Sequence, residues 1–212
     1  LPDPSTQFIV VGSFNQAKAA EMAELLGGLP VRVRSLREFR GVHPVPEEGD
    51  TFTENARAKA LGLARQIPDE ALLGLVADDS GLEVDALGGR PGVYSARYLG
   101  DQATDPERVQ GILRELGDLP PESRTARFRC HVAFADARHV LLETEGVVEG
   151  RISFAAAGNF GFGYDPVFVP VGFDKSFGEL GAEVKHRISH RAQALRLFRE
   201  RLARLLASRG TT

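Results

Sequence analysis

The sequence predicts an α/β protein built on a mixed sheet, and three observations carry that expectation. Apolar runs in the first 78 residues alternate with stretches of helical periodicity, giving a β-α-β-α-β order. The middle holds two long strand-like stretches joined by a tight turn, and the chain closes on an amphipathic helix. Phe8 to Gly12 reads as a short buried strand. From Asn15 to Leu26, the residues Ala19, Met22, Leu25 and Leu26 recur at helical spacing, and Gly27-Gly28 closes the run. Val31 to Leu36 alternates apolar and basic residues and predicts a second strand, followed by a loop rich in Pro, Gly and Glu from Gly41 to Asp50. A second helix starts near Thr51, presents Phe52, Ala56, Ala60, Leu63 and Ile67 on one face, and stops before Pro68. A strand is expected from Leu72 to Asp78.

After a short strand at Leu82 to Val84, the segment Leu87 to Tyr98 reads as a glycine-rich loop, and Pro106 to Leu116 as a helix. Arg124 to Ala135 and His139 to Gly150 predict two antiparallel strands around the turn Asp136-Ala137-Arg138. A further strand is expected through Pro166 to Val169. The last helix is expected from Ile188 to Ala207, with Leu195, Phe198, Leu202, Leu205 and Leu206 as its apolar stripe. No composition break marks a linker. Residues 8–212 are therefore expected to form a single domain behind a flexible tail at residues 1–7, a start without the apolar core of a signal peptide.

Composition narrows the class. At 42% hydrophobic and 26% charged residues, 212 residues suffice for a sizeable core. A net charge of -3 argues against a dedicated nucleic-acid binder, and no apolar run approaches the ~20 residues that span a bilayer. The single cysteine, Cys130, excludes an internal disulfide and a cysteine-rich zinc site. Its strand-like surroundings predict a buried structural thiol, and a cytoplasmic setting follows as the expectation.

Five constellations could carry chemistry. In Val76-Ala77-Asp78-Asp79-Ser80-Gly81-Leu82, an apolar strand runs into two carboxylates, a hydroxyl and a glycine. Paired carboxylates at the end of a strand suit a divalent cation bridging to phosphates, and Asp-Ser-Gly equally suits a surface turn. At the first strand-helix junction, Ser13, Asn15 and Lys18 surround a helix N-terminus, where amides and the helix dipole favour an anion. The alternative there is Asn15 as a plain helix cap. Lys59 falls between Ala56 and Leu63 in the apolar stripe of its helix, with Asn55 one turn before on the same side. Such a lysine must snorkel or be paired, and Glu47 and Glu48 lie just upstream.

Gly161-Phe162-Gly163-Tyr164-Asp165-Pro166 could form a slot for a planar base, with aromatic stacking and an acceptor, or an aromatic β-turn on the core. Lys185-His186-Arg187-Ile188-Ser189-His190-Arg191 places cations at the expected start of the last helix. That opposes the dipole unless an anion sits there. His186 and His190 are spaced for zinc, but no third ligand is evident and the flanking cations would repel a metal.

Five ordered motifs then resemble the inosine triphosphate pyrophosphatase family, the non-standard purine NTP pyrophosphatases. They are Thr51 to Ala56, Ala77 to Val84, Gly88 to Tyr98, Phe162 to Pro166 and Ile188 to Leu195. The resemblance covers nearly everything from Phe8 onward. It implies a three-layer α/β fold with a mixed central sheet and two lobes around a central cleft, usually as a homodimer. It also implies Mg²⁺-dependent hydrolysis of ITP, dITP and XTP to monophosphate and pyrophosphate.

Matched motif by motif, Asp79 resembles the residue that activates water and holds Mg²⁺, Glu47 the second acidic ligand, and Asp78 the group that tunes the pair. Ser13, Asn15, Lys18 and Lys59 resemble the triphosphate clamp, with Lys59 also at the reaction and Ser80 assisting. Phe162 would stack on the base, with Asp165, Lys185, His190 and Arg191 recognising base and phosphate. Asn55, Gly163 and Tyr164 complete the expected substrate contacts. Departures are visible: Phe14 and Ala17 stand where the family's first loop commonly has glycines. Glu47 and Glu48 compete for one acidic position, where counting back from Phe52 selects Glu47. A Maf-like pyrophosphatase for modified nucleotides and a non-catalytic nucleotide sensor are the alternative functions.

Overall fold

The computed structural model describes residues 7–29 and 31–209, so the tail expected at residues 1–7 lies, apart from Gln7, outside the described residues. Six strands form one sheet in the order β2-β1-β3-β4-β5-β6. The first is β1 (Phe8–Val11), buried along its whole length. It is followed by α1 (Gln16–Leu25), β2 (Arg32–Ser35) and α2 (Phe52–Ala64). Strand β1 runs parallel to β2 and to β3 (Leu72–Val84). Helix α3 (Asp105–Leu116) precedes the hairpin strands β4 (Thr125–Ala135) and β5 (Val140–Ile152). Strand β6 (Phe168–Pro170) pairs antiparallel with β5, which makes the sheet mixed, as expected. The chain ends in α4 (Phe177–Ile188) and α5 (His190–Arg209).

The chain divides into two compact units, one of residues 1–79, 131–145 and 194–212, the other of residues 80–130 and 146–193. In the first unit, Phe8 and Val10 of β1, Ala56, Ala60 and Leu63 of α2, and Leu75 and Ala77 of β3 form a continuous core. All five apolar residues expected on the α2 stripe are buried. The helix starts on a capping box: Thr51 Oγ1 accepts from Glu54 N, and Glu54 Oε2 accepts from Thr51 N. In the second unit, Leu82, Val109, Ile112, Leu116, Phe128, Phe168 and Phe177 form the core. Cys130 is buried, as its pattern predicts.

Three elements differ from expectation. Strand β3 does not stop at Asp78: it continues through Asp79, Ser80 and Gly81 to Val84 and absorbs the separate short strand expected at Leu82. Its pairing with β1 ends at Val76, and beyond that point Leu82 N donates to Ser95 Oγ and Val84 N to Arg90 O. The backbone thus finds partners, and the charges that suggested a turn are met by lysines distant in sequence. The segment Leu87 to Tyr98 is ordered by 3₁₀ turns at Asp85–Leu87 and Gly92–Arg97. Finally, α4 was not expected, because Gly178 and Gly181 break its pattern, and Gly181 (φ 78°) kinks the chain within it. The last helix accordingly starts at His190.

Candidate active site

The expected site residues fall into two groups, one in each unit. In the first unit, adjacent residues of a strand point to opposite faces. The structure pairs Asp78 with α1 and Asp79 with α2: Lys18 Nζ lies 3.6 Å from Asp78 Oδ2, and Lys59 Nζ lies 3.1 Å from Asp79 Oδ1. Lys59 also reaches Glu47 Oε1 at 3.0 Å and donates to Asp78 O at 3.3 Å, so it is paired rather than snorkelled. Glu47 is the glutamate the structure brings to Lys59, whereas Glu48 is exposed.

Asn55, expected as a substrate contact, is fully buried. Its amide donates to Asp79 Oδ2 at 3.1 Å and to Gly49 O, and it accepts from Gly49 N at 2.8 Å. It therefore ties the loop carrying Glu47 to Asp79. At the start of α1, Asn15 Oδ1 caps Lys18 N, and Ser13 Oγ donates to Asn15 O. Phe14 and Ala17 are exposed, so their side chains displace no core packing. Gly12 is the glycine that packing demands in this loop, since a Cβ there would collide with Leu75.

Three carboxylates (Glu47, Asp78, Asp79) and two ammoniums (Lys18, Lys59) meet in this cluster. Burial works against the Lys59 charge, but Asp79, Glu47 and Asp78 outweigh it, and Lys59 holds its proton more tightly than an ordinary lysine. Burial raises the Asp79 carboxyl above its usual range; Lys59, Lys18 and Asn55 pull it down without cancelling that effect, and Glu47 adds to the rise.

In the second unit, Lys185 Nζ meets Asp165 Oδ2 at 2.6 Å and sits 4.3 Å from the centre of the Phe162 ring. The Arg191 guanidinium stands 5.6 Å from the same ring, and its Nη2 donates to Ser80 Oγ at 2.9 Å. His190 stacks on Phe128, with ring centres 4.8 Å apart. Asp165 is 2% exposed, and its Oδ2 also accepts from Phe162 N, so it orders the loop and Lys185. The Tyr164 side chain belongs to the core, its hydroxyl donating to Ser95 O at 2.9 Å, and Gly163 N donates to Asp105. Lys185, His186 and Arg187 occupy the last turn of α4, where cations suit the helix dipole, so the expected conflict at a helix start does not arise there.

Sequence reasoning missed a network in the first unit. Thr53 Oγ1 lies 3.2 Å from His131 Nδ1, His131 Nε2 lies 2.9 Å from Glu143 Oε1, and Arg57 grips both Glu143 oxygens at 2.7 and 2.8 Å. Thr53 and Arg57 share one face of α2, but their partners lie 78 and 86 residues further on. Only the four-residue spacing on α2 was available as a local signal.

Comparison with known proteins decides the family. The Ham1 family model matches residues 9–201. The chain belongs to the Ham1 family. It is 42% identical over 205 residues to a dITP/XTP pyrophosphatase of Rhodopirellula baltica, covering 96% of this chain and 97% of that protein. It is likewise 42% identical over 187 residues to a dITP/XTP pyrophosphatase of Bacillus subtilis, covering 88% and 92%. The structure of a HAM1 protein from Coxiella burnetii superposes with a TM-score of 0.81 at 40% identity, covering 95% of this chain and 99% of that one. The Staphylococcus aureus Ham1 protein gives 0.80 at 35% identity, covering 92% and 98%. The Ham1 assignment agrees with the resemblance read from the motifs, and the mixed-sheet α/β fold is the one shared with these solved Ham1 structures.

Proposed function

We propose that the chain hydrolyses deaminated purine nucleoside triphosphates, ITP, dITP and XTP, to the monophosphate and pyrophosphate, with Mg²⁺ as cofactor. The observation that carries the proposal is the Lys59 ammonium held between Glu47 and Asp79, with Lys18 on the neighbouring Asp78. The relatives named dITP/XTP pyrophosphatases support the substrate class.

The donor set fits the metal. Mg²⁺ prefers oxygen ligands and is usually held by one or two carboxylates together with substrate phosphates. Glu47 and Asp79 supply two carboxylates on one ammonium. Among the described residues no three acidic, histidine or cysteine side chains form a cage of their own, so the other ligands would come from phosphate and water. When bound, the cation would neutralise phosphate charge and the charge developing on the leaving pyrophosphate.

In this reading Asp79, its carboxyl raised by burial, takes the proton of the water that attacks the α-phosphorus as the bond to the bridging oxygen breaks. Lys59 and Lys18 bind phosphate oxygens, with Ser13, Asn15 and the α1 N-terminus assisting. Asp78 keeps Lys18 in place, and Asn55 keeps Asp79 in place. Phe162 offers a ring to the base, while Lys185 and Arg191 can only donate hydrogen bonds. A 6-keto oxygen accepts them and the 6-amino group of adenine does not, which supplies selectivity against adenine nucleotides. Ser80 Oγ accepts from Arg191 Nη2 and so holds that guanidinium, while His190, stacked on Phe128, assists in recognising base and phosphate.

The same proposal includes a homodimer in the cytoplasm, resting on the family resemblance and the single buried cysteine. Light scattering on the purified chain reads the oligomer. A nucleotide is the expected partner, with no nucleic acid and no membrane. The net charge is -3, and no described helix is long and apolar enough to cross a bilayer. A panel of ITP, XTP, dITP, GTP and ATP, with and without Mg²⁺, tests the function through phosphate release after added inorganic pyrophosphatase. The expected result is Mg²⁺-dependent turnover strongest for 6-keto purines without a 2-amino group. Binding of ITP without turnover would leave a sensor instead, and turnover confined to modified pyrimidine or methylated nucleotides would favour the Maf-like alternative.

A further inference from the structure

The loop carrying Phe162 is held by carboxylates on two consecutive amides: Asp165 Oδ2 accepts from Phe162 N at 2.8 Å, and Asp105 Oδ2 accepts from Gly163 N at 2.7 Å. Asp165 belongs to the loop itself. Asp105 opens α3, 58 residues earlier, and is fixed from behind. Its Oδ1 takes Arg108 Nη1 at 3.2 Å, and the buried Arg108 donates in turn to Tyr98 O and Gly100 O. Packing contributes little at this point. Gly163 has φ 62°, and nothing stands within 4 Å of where its Cβ would lie. A cavity of about 400 Å³ borders the loop, lined by Asp105, Gln110, Asn159, Phe160, Phe162 and Gly163 among others. At Gly163 itself the backbone is held by this hydrogen bond rather than by side-chain packing.

We propose that Asp105 is a positioning residue for base selectivity: by holding the Gly163 amide it keeps the Phe162 ring beneath Lys185 and Arg191. This deepens the reading of Phe162, Lys185 and Arg191 as base-recognising groups and rests on it. Asp105 touches no reacting atom in this account, so its loss is expected to weaken recognition of the base and spare the phosphate chemistry.

The test compares Asp105→Ala, Asp105→Ser and Asp105→Asn with the unaltered chain. Ser is well tolerated at a helix start but too short to reach Gly163 N, whereas Asn keeps an acceptor oxygen of the right length. Three readouts are used: hydrogen exchange at the Gly163 amide, KM and kcat for ITP, and inhibition by imidodiphosphate, which has no base. For Ala and Ser, Gly163 exchange is expected to quicken at least tenfold and KM for ITP to rise about fivefold, the loss of one charge-assisted hydrogen bond at an exposed site. Both kcat and imidodiphosphate inhibition stay within about twofold, and Asn restores most of the KM. Unchanged Gly163 exchange, or KM and imidodiphosphate inhibition weakening together, overturns the proposal. Absence of ITP turnover in the unaltered chain would instead overturn the functional reading. Gly163 exchange and calorimetric binding of inosine monophosphate then still decide the role of Asp105.

Discussion

Replacing Lys59 by Met removes the ammonium shared by Glu47, Asp79 and the Asp78 carbonyl while keeping the length of the side chain. Asp79 and Glu47 then lose the ammonium that joins them. Removing one partner of a buried ion pair costs about 3–5 kcal/mol. The Glu47 side chain is 37% exposed and water screens its share, so a loss of about 2–3 kcal/mol is expected at pH 8. For a chain of this length that corresponds to a fall in Tm of roughly 4–12 °C. The loss should shrink toward acid, because Lys59 is the strongest influence holding the Asp79 carboxyl down. Without it, Asp79 takes up a proton at higher pH, and the uncompensated charge disappears. Mg²⁺ should recover part of the loss at pH 8 by replacing the missing positive charge. Urea unfolding at pH 5 and pH 8, with and without Mg²⁺, measures all three effects. The chain has no tryptophan, so far-ultraviolet circular dichroism is the suitable probe. A loss below about 0.5 kcal/mol, or one equal at both pH values, would refute the reasoning.

Asp79→Asn should lower kcat for ITP by at least about a thousandfold while leaving nucleotide affinity within about tenfold. Near-normal turnover would remove Asp79 from the proton transfer. Gly161→Ala combines a φ of 78° with a Cβ that would collide with Asp165 Oδ2. It is expected to raise KM for ITP about tenfold with little change in kcat, and an unaltered KM would contradict the loop's role. Hydrogen bonding from Arg57, with help from His131, holds the Glu143 carboxyl below its ordinary value of 4.5. A carboxyl lowered on folding stabilises the protein above that ordinary value, and the contribution disappears as pH falls through the folded-state value. The Tm gap between the unaltered chain and Glu143→Gln should therefore be full at pH 6 and shrink as pH falls below 4.5; a gap equal at pH 6 and pH 3 speaks against it.

What the sequence made legible was local. The α2 stripe, β1 and the hairpin strands follow from periodicities of 3.6 and 2, and those positions are buried where expected. Lys59 was legible as a site residue because a lysine inside an apolar stripe must be paired. The end of the strand at Asp78 was misread for the same reason that made it noticeable. Adjacent charges signal a turn unless partners exist, and these partners, Lys18 and Lys59, arrive through tertiary contacts. Helix α4 was hidden by its glycines. Asn55, Asp165 and Tyr164 were read as substrate contacts because side-chain type indicates hydrogen-bonding capacity. It does not indicate which partners inside the protein each side chain also holds: Asp79 for Asn55, Lys185 for Asp165 and the Ser95 carbonyl for Tyr164.

The network of Thr53, His131, Glu143 and Arg57 bears on the rate as well as on the fold. Helix α2 presents Asn55 and Lys59 on one side, and Thr53 and Arg57 on the other. It is thus gripped along both flanks, by Asp79 on one and by His131 and Glu143 on the other. A helix held in this way acts as a stiff bar, and under the proposed function the ammonium it carries would stay in position as charge shifts on the phosphates. Little of the barrier is then spent on reorganising the protein, because the dipoles are already oriented. Loosening the far flank should therefore surface as a slower chemical step even though no residue near the phosphates has changed.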